Sequence, residues 1–135
     1  MSDTFEVVAA AGTMRSSDPS ATHFPHRWTE GGVTVSTVFT GAHLLHLSVA
    51  GCVLNDVFRE ARELGVDVQG VQVTARGGFD LRTWASTGIE YEVEVASGAD
   101  PAEVDRLLAR VEQVAEVPRA IASGAPVRRV GQDAG

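Results

Sequence analysis

The stretch Ala42–Gly65, AHLLHLSVAGCVLNDVFREARELG, decides the fold. It runs 24 residues without a proline. Apolar residues fill its first half and charged residues its second. The pattern predicts one helix from about Ala42 to Leu64. Thr40 is placed to cap its start, and Gly65 to stop it in a left-handed turn. A first half that is apolar all round needs cover on several sides. The helix is therefore expected to run through a core or a subunit interface.

Outward from this helix the period changes to two. Upstream, FEVVAAAG reads as a strand, and RSSDPSATHFPHRW as a polar, proline-containing connection. GGVTVSTVFTG then alternates β-branched and small residues, a second strand after a Gly-Gly turn. Downstream, VDVQGVQVTARGGFD reads as strand, glycine turn, strand, with Val66, Val68, Val71 and Val73 split by polar residues. GIEYEVEVAS puts Ile89, Tyr91, Val93 and Val95 on one face and glutamates on the other. DPAEVDRLLARVEQVAEVP opens a second helix, with Asp100 as N-cap, Pro101 at its first position and Glu103 completing a capping-box pattern. Val104, Leu107, Leu108, Val111 and Val114 form its apolar stripe. The expected order is β-β-α-β-β-β-α, an α+β fold of helices on antiparallel sheet. The 135 residues fit a single domain. Residues 1–30 are a less sharply defined strand and loop, and residues 131–135 are expected to be a flexible tail.

Composition narrows the function. Hydrophobic residues make up 44% of the chain, enough for a real core, and no uninterrupted apolar run is long enough to span a bilayer. The start, MSDTFEVV, is acidic early and lacks the basic, then apolar, pattern of a secretory signal. The cytoplasm is the expected compartment. The formal charge is −7, and all the basic residues are arginine. An acidic chain without a basic stripe is a poor partner for nucleic acid. RGGFD has two glycines but lacks the spacing of a phosphate loop.

Cys52 is the only cysteine, which excludes an intramolecular disulfide and a cysteine-cluster zinc site. At about 100° per helical residue, Ser48 and Asp56 lie about 40° to either side of it, and Arg59 almost directly below. His46 falls about 120° away and His43 about 180°. Asn55 is also close. The helix thus offers the thiol a polar stripe of Ser48, Asp56 and Arg59, but no histidine. A thiol is nucleophilic as thiolate, which a cation stabilises and a carboxylate opposes. The competing reading is an inert small residue on an apolar helix.

The run LLHLSVAGC on a central helix, followed by ELGVDVQGVQVTARGGFD, STGIEYEVEV and a helix ending in VP, resembles the OsmC/Ohr family of osmotically inducible and organic hydroperoxide resistance proteins. The resemblance covers about Gly31 to Val130. It implies an intertwined homodimer with the central helices at its heart. It also implies a thiol peroxidase, in which a cysteine on the central helix attacks an organic hydroperoxide. A resolving cysteine then forms a disulfide, while an arginine held by a glutamate stabilises the thiolate. Cys52 matches the attacking position. Val117, in AEVPRA, stands where the resolving cysteine belongs. The glutamate's place, in TGAHLL, is taken by Ala42 or His43. Arg27, in FPHRW, is the best match for the arginine, with Arg15 weaker and Arg59 an alternative.

Two functions follow. One is a one-cysteine hydroperoxide reductase of oxidative stress defence. Cys52 and Arg27 would be its catalytic pair, and an external thiol its reductant. The other is a non-catalytic protein of the same fold that binds an apolar small molecule or a metal in the dimer pocket. No cofactor is expected and no metal ligand is assigned. His43 and His46, spaced by three like His23 and His26, could join a His/Cys metal site or tune the thiol across a dimer. Capping by His43 and packing of the others is the plainer reading. Phe24, Trp28 and Trp84 are expected in the core or the pocket wall.

Overall fold

A computed structural model describes residues 4–131. Five strands and three helices follow in the order β1 (Phe5–Gly12), β2 (Thr22–Phe24), β3 (Val33–Ser36), α1 (Gly41–Leu64), β4 (Gly70–Phe79), β5 (Ser86–Ala96), α2 (Pro101–Val114) and α3 (Glu116–Ser123). The strands form one antiparallel sheet in the order β2-β3-β1-β4-β5. The α+β class expected from the periodicities holds. Residues 132–135, most of the expected tail, lie outside the described residues.

The long helix is as read from the sequence. Thr40 has an extended backbone, and its hydroxyl accepts the His43 N–H at 3.1 Å. Gly65, at φ 69°, ends the helix, and the Val66 N–H returns to the Ala61 carbonyl at 2.9 Å. These contacts satisfy end groups that have no partner within the helix. Thr40→Ala is expected to lower stability by about 1 kcal/mol. An unchanged urea midpoint would show that the cap is dispensable.

α1 lies across the sheet. Val49, Ala50, Val53, Leu54, Val57 and Ala61 meet Val7, Ala9 and Ala11 of β1 and Val71, Val73 and Ala75 of β4. The β1 alanines keep that face shallow, so the helix backbone can approach. Leu107 and Val111 of α2 close the far side. By length and composition α1 could cross a membrane. Instead it packs on the sheet and buries Asp56 and Glu60 inside the fold. Its N-terminal half is less enclosed than its composition implies: Leu44, Leu45 and Leu47 are half-buried and Ser48 is exposed.

Five sequence expectations are corrected. Residues 66–69 form the connection from α1 and not a strand, although Val66 and Val68 still pack on the core. β4 starts at Gly70, where a Cβ would come 2.5 Å from the Thr13 hydroxyl, so this glycine serves a close approach and not a turn. A short strand, β2, lies inside the segment read as a connection and pairs with β3. The second helix is two helices. Pro118 has no N–H to donate to the Val114 carbonyl, so the chain becomes extended at Ala115 and restarts as α3. Asp100 sits at the N-cap of α2, but its side chain makes no capping hydrogen bond.

The aromatic residues also divide. Trp28 packs against the core, whereas Phe24 is half exposed and Trp84 is 71% exposed, in neither core nor pocket wall. Trp84 has a left-handed backbone (φ 64°) in the tight Asp80–Ala85 turn between β4 and β5.

Candidate active site

Cys52 lies midway along α1 and is half-buried. Its Sγ is 3.9 Å from Asp56 Oδ2, one turn along the helix, and 4.0 Å from Glu116 Oε1 on α3. The backbone of α3 also closes on it, with the Glu116 and Val117 amides in hydrogen-bond reach of the sulfur. The break at Ala115 makes this possible, because it turns the start of α3 back towards α1. Val117, where the resemblance would put a second cysteine, thus brings its backbone amide towards the thiol.

The electrostatics oppose a free thiolate. Burial pushes the Cys52 thiol up from its ordinary value, and the charges of Asp56 and Glu116 add to this, while the amides of α3 pull the other way. Burial likewise raises the Asp56 carboxyl against the opposing pull of Arg59. Asp56 is 1% exposed. Arg59 Nη2 stands 3.2 Å from Asp56 Oδ1, close enough for a charge pair, but not aligned as a hydrogen bond. The Asn55 amide is close to both Asp56 and His26.

Arg59 is in turn tied to Glu60 at 3.1 Å, and Glu60 reaches Arg110 of α2 at 2.7 Å. Arg110, and secondarily Arg59, hold the Glu60 carboxyl below its usual range despite its burial. This line of Cys52, Asp56, Arg59, Glu60 and Arg110 joins the thiol to the packing of α1 on α2. The sequence reading did not include Glu60, Arg110 or Glu116. A signal for the first was available. Val49, Val53, Asp56 and Glu60 recur at helical spacing, so two acids stand on an inward stripe. Nothing in the local sequence placed Glu116 beside Cys52, since that contact depends on the break before α3.

The remaining expected site residues are elsewhere. Arg27 is not among the groups brought to the thiol within the described residues; its guanidinium lies over the Trp28 ring at 5.6 Å. Arg15 binds the carbonyls of Gly12 and Gly31. Ser48 turns its hydroxyl back to the Leu45 carbonyl. His43 joins the helix cap, with Nδ1 2.6 Å from the Thr40 hydroxyl. His46 is fully buried, with Nδ1 2.6 Å from the Ala42 carbonyl, and packs between Phe5 and Phe79. The plainer reading of these two histidines is the one the structure bears out. Of the polar stripe of Ser48, Asp56 and Arg59 read from helical angles, Asp56 faces the sulfur and Arg59 faces Asp56, while Ser48 turns away.

Two further features shape the site. A cleft of about 400 Å³ opens between α1, β5 and α3, lined by Val49, Ile89, Tyr91, Pro118, Ile121 and Ala122 among others. Cys52 is not in its lining, but Val49, one turn before it on α1, and Pro118, next to Val117, are. Burial raises the Tyr91 hydroxyl, and the charge of Glu112 adds to the rise. The ligand atoms of Cys52, Asp56 and Glu116 also lie within 4.8 Å of one another, the spacing of a small cation site. Arg59 already supplies positive charge to Asp56 there.

A family model described as OsmC-like protein matches residues 36–129, which include α1, the thiol and the start of α3. The chain belongs to the OsmC-like family. Its fold is similar to that of an OsmC-like hydroperoxide resistance protein from Jannaschia sp. CCS1, solved as a crystal structure. The TM-score is 0.57 at 18% identity, over 94% of this chain and 95% of the other. No curated protein matches the chain.

Proposed function

We propose that this OsmC-like protein is a one-cysteine hydroperoxide reductase. Cys52 is the nucleophile, and an external thiol completes the cycle. The observation that carries the reading is the placement of the single thiol, half-buried on α1 one turn from Val49, which lines a largely apolar cleft that suits the organic part of a hydroperoxide. The sulfur attacks the terminal peroxide oxygen, the O–O bond breaks, and the products are a sulfenic acid and an alcohol. One external thiol condenses with the sulfenic acid, releasing water and leaving a mixed disulfide. A second frees Cys52 and departs as the oxidised disulfide. The reading places the protein in the cytoplasm, in defence against peroxides.

A homodimer belongs to the same proposal. Leu44, Leu45 and Leu47 are half-exposed on α1, and Val38 and Phe39 just before it are 57% and 90% exposed. Together they leave an apolar stretch that a second copy would cover. Arg27 would then reach a thiol only from a partner chain.

The raised thiol favours a second reading, a non-catalytic protein that holds an apolar ligand in the cleft or a cation between Cys52, Asp56 and Glu116. Intact-mass spectrometry separates the two. After a short pulse of cumene hydroperoxide with a sulfenic-acid trap present, wild type is expected to gain one trap adduct and Cys52→Ser none. Absence of the adduct in wild type at low peroxide would leave the binding reading.

A further inference from the structure

We propose that Asp56 is the proton carrier for Cys52. Its Oδ2 takes the thiol proton as the sulfur attacks the hydroperoxide and returns it to the departing alkoxide. The inference rests on the one-cysteine reading above and names the residue that takes up the thiol proton.

The geometry supplies an acceptor for the thiol proton. Asp56 Oδ2 stands 3.9 Å from Sγ, the S–H donating to it. Both groups project from the same face of α1, so the rigid helix sets their separation. Arg59 lies 3.2 Å from the other oxygen as a charge pair, and Glu60 lies 3.1 Å from Arg59, so Oδ2 is left to the thiol. Glu116 is the competing acceptor at 4.0 Å, but it is exposed on α3, where water competes for its carboxylate. Asp56 is sealed from solvent, and a poorly hydrated carboxylate is the stronger base.

The step balances. The Sγ–H bond breaks and its proton passes to Oδ2. A sulfur electron pair forms the S–O bond to the terminal hydroxyl oxygen as the O–O bond breaks, and the alkoxide takes the proton from Oδ2. Thiol and hydroperoxide become sulfenic acid and alcohol, sulfur losing two electrons and the peroxide gaining them. The charged and polar groups facing Asp56 are Arg59, Asn55 and Glu60 on α1 and Glu116 on α3. Of these only Arg59 is cationic.

Asp56→Asn tests the inference, because the two roles open to this carboxylate predict opposite signs. If Asp56 only repels the thiolate, removing its charge eases ionisation and speeds the reaction. If it carries the proton, the variant is slower. We expect trapping of the Cys52 sulfenic acid with cumene hydroperoxide to slow by about 100-fold at pH 7. The gap should close as pH rises through the thiol's own ionisation, where no base is needed. Asp56→Glu keeps a carboxylate and should restore part of the rate. Alkylation by iodoacetamide at high pH should be equally complete in all three proteins, which establishes that the thiol remains accessible. An Asp56→Asn rate equal to or above wild type at pH 7 overturns the inference. If wild type itself forms no adduct, the one-cysteine reading has failed first, and that failure is seen in the parent and not in the variant.

Discussion

Val117→Cys is expected to change the peroxide product of this chain from a trappable sulfenic acid to an internal disulfide. The start of α3 already lies against Cys52, with the Val117 amide in reach of the sulfur and Glu116 Oε1 4.0 Å away. A thiol at 117 would meet the sulfenic acid before an external one could, because the fold holds the two positions together. Wild type should gain about 16 Da or a trap adduct after a peroxide pulse. The variant should lose about 2 Da, resist the trap and regain free thiols with a dithiol reductant. Diamide, which couples thiols directly, should form the same bridge whether or not Cys52 is peroxidatic. Geometry and peroxide chemistry are therefore read separately. Two free thiols after diamide would show that residue 117 points away from Cys52, and that the missing second cysteine cannot be restored by one substitution.

Much of this arrangement was legible in the sequence. α1, its cap and its stop are local features: a long apolar-to-charged run between Thr40 and Gly65 leaves little choice. β5 was equally clear, since alternating valines and glutamates admit one register of faces. What failed depended on distance. Val66 and Val68 alternate like a strand, but the chain needs residues 66–69 to leave α1 and reach the sheet, so pairing begins at Gly70. Pro118 was visible, and its effect on the α2 carbonyls could have been anticipated; the return of α3 onto Cys52 could not. The acidic setting of the thiol follows from that return. Arg27 was placed beside the thiol by resemblance alone, and within this chain Trp28 has it instead. The cation nearest the site is Arg59, which the helical angles did identify, and it acts on Asp56 and not on sulfur.

Gly77→Ala is expected to be among the most damaging single-methyl additions to the sheet. Gly77 lies on β4 facing α1, where the pairing with β5 slips between Gly77 and Phe79. A Cβ there would overlap the Gly88 carbonyl oxygen and come 2.6 Å from His46 Nε2. Neither obstacle yields easily. The carbonyl is backbone of the neighbouring strand. The imidazole is fully buried, held through Nδ1 to Ala42 and packed between Phe5 and Phe79. The backbone of Gly77 is itself ordinary for a strand, so the cost is steric and not conformational. Overpacking of this kind costs about 3 kcal/mol. For a domain of this size that corresponds to a melting temperature lower by about 10 °C. The substitution also pushes on the start of α1, so the effect should extend beyond β4 and β5. Hydrogen exchange should quicken at Leu44–Leu47 as well as along the two strands. A variant that melts within 2 °C of wild type, within about the error of a small core change, would mean that β5 slides aside freely. In that case His46 would not fix the N-terminal half of α1 to the sheet.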